Sequence, residues 1–155
     1  MDTEIIVRQA VITDLDAILE IETTCFGADS FSRKQFIYLI TRAKGIFYVV
    51  IYEEKVIAYI SLISNACTRN LRIYSVAVHP GSRGKKLGQM LIDKAVEFAE
   101  LRQLRKITLE VNVTNEPAIG LYLKNKFEPT HIIANYYADG SNAYYMQRKI
   151  AGDKI

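Results

Sequence analysis

The chain has 155 residues, enough for one domain with one hydrophobic core and too few for two. Half of the residues (50%) are hydrophobic and 24% are charged, which excludes a disordered chain. The net charge of +3 is mildly basic: it makes no case for nucleic acid and suits a small polyanionic ligand equally well.

The N-terminus reads Met1-Asp2-Thr3-Glu4, acidic and without the apolar core of a signal peptide. The longest apolar runs, 46–52 and 56–62, are strand-sized and too short to span a bilayer. A soluble, cytoplasmic protein is expected. Cys25 and Cys67 form no CxxC pair and read as small buried hydrophobes.

In chain order, residues 4–9 are a short strand. Thr13-Asp14 open a helix in which Leu15, Ile18, Leu19 and Glu22 mark successive turns. A loop over 25–31 follows, and then Ser32-Arg33-Lys34-Gln35, a capping box that opens a second short helix through Phe36, Leu39 and Ile40. Strands over 46–52 and 56–64 are joined by polar Glu53-Glu54-Lys55, the pattern of a hairpin. A strand over 72–79 ends at Pro80-Gly81. A long helix runs from about Lys85 to Arg102, with Leu87, Leu91, Ala95, Phe98 and Ala99 on one face. A strand over 106–111 precedes Asn115-Glu116-Pro117, a cap with proline in the first turn of a helix that carries Tyr122. Strands over 127–135 and 142–148 close the chain. This order predicts an α/β protein of mixed type: one mixed sheet of about seven strands flanked by about four helices. Residues 1–150 form a single domain in this reading, with 151–155 a short tail.

The stretch 75–91 carries the most chemistry: a buried strand, a glycine-containing turn and a helix N-terminus. Helix N-termini present unpaired N–H groups and a partial positive charge, which favour phosphate. Gly84 and Gly88 permit close backbone approach, and Arg83, Lys85 and Lys86 add three cations, a set that suits a pyrophosphate. On local physics alone the same residues also read as a solvated basic turn that starts a helix. No GxxxxGK(S/T) and no GxGxxG is present, so the stretch is neither a P-loop nor a Rossmann fingerprint.

The stretch resembles the acetyl-CoA signature of the GNAT acetyltransferase superfamily, Gln/Arg-x-x-Gly-x-Gly/Ala, after a strand ending in Val-x-Val-His-Pro. Arg83 and Gly88 match its ends, and Lys86 stands where the first motif glycine is usual. A negative φ there leaves the amide usable without strain; a positive φ strains a lysine. The resemblance covers nearly the whole chain and is closest to N-terminal acetyltransferases of the RimI-like type and their archaeal counterparts. It continues through Ile6-Val7-Arg8-Gln9-Ala10 with Asp14-Leu15, Leu109-Glu110-Val111, Asn115, Leu121-Tyr122 with Phe127, and Asn135-Tyr136-Tyr137-Ala138-Asp139-Gly140.

The resemblance implies a sheet that splays between the strands over 72–79 and 106–111, with the acetyl thioester in the opening. Backbone amides of Val76, Ala77 and Val78 then hold the pantetheine arm. Arg83, Gly84, Lys85, Lys86, Leu87, Gly88 and Gln89 hold the phosphates, and Asn115 and Tyr122 meet the CoA arm. Glu110 is implied as the general base and Tyr122 as the general acid for the departing sulfur, in a direct transfer within a ternary complex. Phe26, Asp29, Phe31, Tyr136 and Tyr137 are implied as walls of the acceptor site. The implied cosubstrate is acetyl-CoA with no metal, and the implied acceptors are protein or peptide N-termini. Ribosome or ribosomal-protein association is compatible with the resemblance. No DNA and no membrane partner is expected, and the chain is expected to be a monomer or weak homodimer.

From the residues themselves, Glu110 between Leu109 and Val111 faces away from its apolar neighbours, as either a base or an ordinary solvated glutamate. Tyr122 is either an acid or core packing with its hydroxyl at the rim. The two histidines, His79 and His131, lack Cys partners at ligand spacing, and His79 reads as a strand-end residue. An α-amino group, with a pKa near 8, is about one-tenth neutral at pH 7, and a lysine only about one part in 2500, so an N-terminal acceptor asks less of a base. The alternatives are an acetyltransferase for a small amine such as a polyamine, aminoglycoside or amino acid, and a non-catalytic acetyl-CoA-binding module.

Overall fold

The computed structural model describes residues 4–150; the expected tail 151–155 lies outside them. Its elements are β1 (Ile6–Gln9), α1 (Leu15–Phe26), α2 (Arg33–Thr41), β2 (Gly45–Tyr52), β3 (Lys55–Asn65), β4 (Asn70–Val78), α3 (Leu87–Leu101), β5 (Lys106–Asn112), α4 (Glu116–Lys124), β6 (Glu128–Ile133) and β7 (Ala143–Lys149). The seven strands make one mixed sheet in the order β1-β2-β3-β4-β5-β7-β6. β4 and β5 run parallel; the pairs β1–β2, β2–β3, β5–β7 and β6–β7 are antiparallel. This is the mixed α/β fold that the sequence order predicts.

The chain divides into two compact units, Met1–Ile63 with Tyr74–Leu91, and Ser64–Ile73 with Ile92–Ile155. In the first, Leu15, Ile18 and Ile21 of α1 and Phe36 and Leu39 of α2 pack with Phe47, Val49, Tyr59 and Ala77 from the strands. The sequence starts these helices by different devices. Asp14 takes the main-chain N–H of Val11 (2.8 Å) and both guanidinium nitrogens of Arg8 (2.8 and 2.9 Å). Ser32 and Gln35 form the expected capping box: Ser32 Oγ accepts from Gln35 N–H (3.2 Å) and Gln35 Oε1 from Ser32 N–H (2.7 Å). α1 stops at Gly27, whose pairing of φ +53° with ψ −119° lies outside the left-handed helical region and suits only glycine.

In the second unit Leu71, Ile107, Leu109, Val111, Phe127, Ala143 and Met146 are buried. The β4–β5 ladder comprises Asn70↔Lys106, Leu71↔Ile107 and Arg72↔Thr108. β5 then pairs along its whole length with β7, Lys106↔Lys149 through Asn112↔Ala143.

Element ends shift where single residues take left-handed backbone. The hairpin turn is Glu53-Glu54 alone (φ +49° and +64°), with Lys55 already paired to Tyr52; two such residues match the twist of the flanking strands. α3 begins at Leu87 rather than Lys85 because Lys86 has φ +59°. β6 ends at Ile133, ahead of Asn135 at φ +53°. Cys67 is exposed, against the expectation of a buried hydrophobe: it sits in the β3–β4 turn, its N–H held by Asn65 Oδ1 at 2.9 Å.

Candidate active site

The first unit carries the residues expected to form a phosphate cradle. β4 delivers Val76, Ala77 and Val78, and the strand ends where His79 N–H bonds Ile57 O (2.8 Å). His79 Nδ1 accepts from Gly81 N–H at 3.1 Å, so this histidine caps the single 3₁₀ turn Pro80–Ser82. Arg83, Gly84, Lys85 and Lys86 follow, all exposed, before Leu87 turns inward. Gly84 and Lys86 both have left-handed backbone, φ +90° and +59°. Lysine therefore stands where the usual glycine would be free of strain, at a cost of about 1–2 kcal/mol. Lys85 Nζ lies 5.1 Å from the centre of the Tyr52 ring, and Arg83 Nη2 lies 3.7 Å from Cys25 Sγ. Burial pushes the Cys25 thiol above its ordinary pKa, and the Arg83 cation only partly offsets this. Gly88 and Gln89 lie in the first turn of α3. A string of cations at a helix N-terminus, with amides exposed by left-handed backbone, has the chemistry to bind phosphate oxygens.

The same unit holds the expected acceptor wall at the end of α1. Phe26 closes the helix, Asp29 ends a 3₁₀ turn, and Phe31 lays its ring on Tyr74 (centroids 4.6 Å) and edge-on to Phe36 (6.3 Å). The N–H of Phe31 donates to Glu22 Oε2 at 2.9 Å.

The second unit carries the candidate base. Leu109 and Val111 are buried in the core, and Glu110 points to the other face as strand alternation requires, with its side chain only 10% exposed. Glu110 Oε1 is ion-paired with the Arg72 guanidinium and accepts from Tyr136 Oη at 3.3 Å. Glu110 Oε2 is buried with no hydrogen-bond partner among the described residues. Burial first, and Glu110 second, push the Tyr136 hydroxyl above its ordinary pKa. Tyr136 meets Tyr137 edge-on at 4.9 Å, and the N–H groups of both donate to Ser141 O (3.0 and 3.1 Å), which folds the loop between β6 and β7 back on itself.

Tyr122 lies on α4, 7% exposed, with its ring 5.7 Å from Phe127. Burial pushes its pKa up to about 12, so its hydroxyl stays protonated throughout the neutral range. That hydroxyl makes no hydrogen bond among the described residues. Asn115 caps α4, its Oδ1 accepting from Ala118 N–H at 3.3 Å.

The structure thus groups Glu110 with Tyr136 and Tyr137 in one unit, and Phe26, Asp29 and Phe31 with the cradle in the other. Sequence reasoning missed two residues. Arg72 carried a legible signal, a cation between buried Leu71 and Ile73 that mirrors Glu110 on a neighbouring strand. Glu22 carried a partial one: it falls in the turn pattern of Leu15, Ile18 and Leu19, but nothing in the sequence marked its carboxylate as buried or named its partners.

The Acetyltransferase (GNAT) family model matches residues 15–127. The chain belongs to the GNAT acetyltransferases. A Bacillus subtilis relative assigned to the ribosomal protein bS18-alanine N-acetyltransferases is 33% identical over 147 residues, covering 94% of this chain and 96% of that one. An N-alpha-acetyltransferase of Sulfurisphaera tokodaii is 28% identical, covering 90% of each chain. The solved ribosomal-protein-S18-alanine N-acetyltransferase of Escherichia coli superposes with a TM-score of 0.86 at 25% identity, covering 98% of this chain and 99% of that one. Among the described residues of this GNAT enzyme, no group of His, Cys, Asp or Glu is placed to hold a metal, and no helix is long and apolar enough to cross a membrane.

Proposed function

We propose that this acetyltransferase acetylates the free N-terminal amine of proteins in a ternary complex with acetyl-CoA. One observation supports the chemistry above all: Glu110 has one oxygen held by Arg72 and Tyr136 and the other buried without a partner among the described residues. A buried, unpaired acceptor calls for one more donor, and an incoming amine supplies it. The sequence relatives support the acceptor class, through names that specify N-alpha or ribosomal-protein alanine acetylation.

Acetyl-CoA supplies the acetyl thioester. Arg83, Gly84, Lys85, Lys86, Leu87, Gly88 and Gln89 bind its phosphates, the amides of Val76, Ala77 and Val78 hold its arm and the thioester oxygen, and Asn115 steadies the arm. Glu110 Oε2 takes the proton lost by the amine. The Tyr122 hydroxyl donates to the departing sulfur. Phe26, Asp29, Phe31, Tyr136 and Tyr137 bind the acceptor peptide. An amine that is about one-tenth neutral at pH 7 requires only one well-placed carboxylate. The same reading places the enzyme in the cytoplasm, where nascent N-termini and ribosomal proteins are met.

Thiol release from acetyl-CoA against peptides that vary at the first residue, N-blocked peptides with an internal lysine, and spermidine tests this. Turnover is expected only with free N-termini. Turnover confined to lysine or spermidine would reassign the acceptor. Glu110→Gln is expected to lower kcat about 10²–10⁴-fold, with acetyl-CoA affinity unchanged. An unaltered kcat would remove Glu110 from the base role.

A further inference from the structure

Glu22 is the most deeply buried acidic side chain among the described residues, 1% exposed, and the reaction as described gives it no task. Both of its oxygens are engaged. Oε1 accepts from the hydroxyls of Tyr59 and Ser75, the latter at 2.9 Å, and those two hydroxyl oxygens lie 3.1 Å apart. Oε2 accepts from the Phe31 main-chain N–H at 2.9 Å. The Ser30 hydroxyl adds a bond to the Glu22 main-chain carbonyl at 3.3 Å. No cation pairs with Glu22 among the described residues.

Placing a carboxylate in a core is costly unless donors surround it, and a leucine would fill the same site without that cost. What leucine could not do is hold Phe31. The segment from Gly27 to Phe31 belongs to no strand, and the Phe31 N–H has Glu22 as its acceptor. The other oxygen of the same carboxylate is fastened to β3 through Tyr59 and to β4 through Ser75. Ser75 immediately precedes Val76, Ala77 and Val78. A single side chain thus ties the aromatic wall to the strand that leads into the cradle, all within the first unit.

We infer that Glu22 is a positioning residue for the acceptor: it fixes the Phe31 wall relative to β4, so that peptide and thioester strand keep one spacing. This rests on the reading of Phe31 as part of the peptide site. It does not require Glu22 to touch peptide or acetyl-CoA.

Steady-state kinetics of Glu22→Leu and Glu22→Gln test it, beside acetyl-CoA binding and Phe31 amide exchange followed by NMR. In Glu22→Leu the peptide KM is expected to rise about tenfold or more, the loss of a charge-assisted hydrogen bond, with kcat and acetyl-CoA Kd changed less than about threefold. Glu22→Gln keeps an acceptor for Phe31 and donates to the two hydroxyls, so its KM is expected to fall between those of wild type and Glu22→Leu. Exchange of the Phe31 amide is expected to speed up in Glu22→Gln, while that of Ser30, bonded to Gly27 O at 3.1 Å, stays as it is. A KM at the wild-type value in both variants, an acetyl-CoA Kd that rises with KM, or unaltered Phe31 exchange would overturn the inference. Should Glu22→Leu not fold, Glu22→Gln decides by KM and exchange. Should wild type turn over no N-terminal peptide, the acceptor reading falls, and the Phe31 amide alone decides whether Glu22 holds the wall.

Discussion

Single residues here act through what they leave open as much as through what they bind. In the proposed reaction Glu110 serves because Arg72 and Tyr136 hold one oxygen, while the other has no hydrogen-bond partner among the described residues. In the same proposal Tyr122 serves as a proton donor that burial keeps protonated, its pKa pushed up to about 12. Lys86 shows the opposite balance, with a cation gained at the proposed phosphate site at the expense of left-handed backbone. Lys86→Gly is expected to stabilise the fold by about 0.5–1 kcal/mol, since relief of the left-handed strain exceeds the added freedom of glycine in the unfolded chain. The same change is expected to weaken acetyl-CoA binding about threefold to tenfold, through loss of a charged phosphate contact. Thermal melts beside binding titrations check this, and a destabilised variant would contradict the strain argument.

At the scale of elements, the start of α1 depends on one carboxylate. Asp14 is 7% exposed and satisfies Val11 and Arg8 together. The Arg8 guanidinium holds the Asp14 carboxyl below the usual carboxylate range, against the opposing effect of burial. A carboxyl whose pKa falls on folding stabilises the native state above its unfolded pKa, about 3.9, and that stability drains away as pH drops through the lower, folded value. Asp14→Asn is therefore expected to melt lower than wild type at neutral pH and to lose less on acidification from about pH 4 downward. Melting curves across that range check it; parallel losses in both proteins would show that Asp14 is not the group responsible. Arg8 is 43% exposed, so the effect is partly screened and shrinks with added salt.

For the whole molecule, ligand binding couples to stability by mass action. At about one hundred times Kd, acetyl-CoA is expected to add about 2.7 kcal/mol, a rise in Tm of about 5–10 °C for a chain of this length. The shift should shrink in Arg83→Ala and in high salt, because phosphate contacts made by exposed cations are screened. A shift independent of both would place the phosphates elsewhere. The mild net charge of +3 fits this picture of positive charge gathered at one turn rather than a basic surface.

The sequence by itself determined the order of elements and the family, and it marked the candidate cradle. Those follow from local rules: apolar periodicity, the Ser32–Gln35 capping box, Pro117 after Asn115, and cations at a helix start between 83 and 86. Alternation in Leu109-Glu110-Val111 was enough to turn Glu110 away from the core. Only the tertiary structure decided its partners, because Arg72 and Tyr136 lie 38 and 26 residues away along the chain. It also decided the sign of φ at Lys86, since a motif states which residue is usual and not what backbone its replacement adopts. The turn pattern put Glu22 on the side of Leu15 and Ile18, but the donors that make its burial tolerable were out of reach. A glutamate on a helix reads as solvated until strands bring the Tyr59 and Ser75 hydroxyls to it, from 37 and 53 residues away, and donors from several elements make a buried carboxylate tolerable only where they converge.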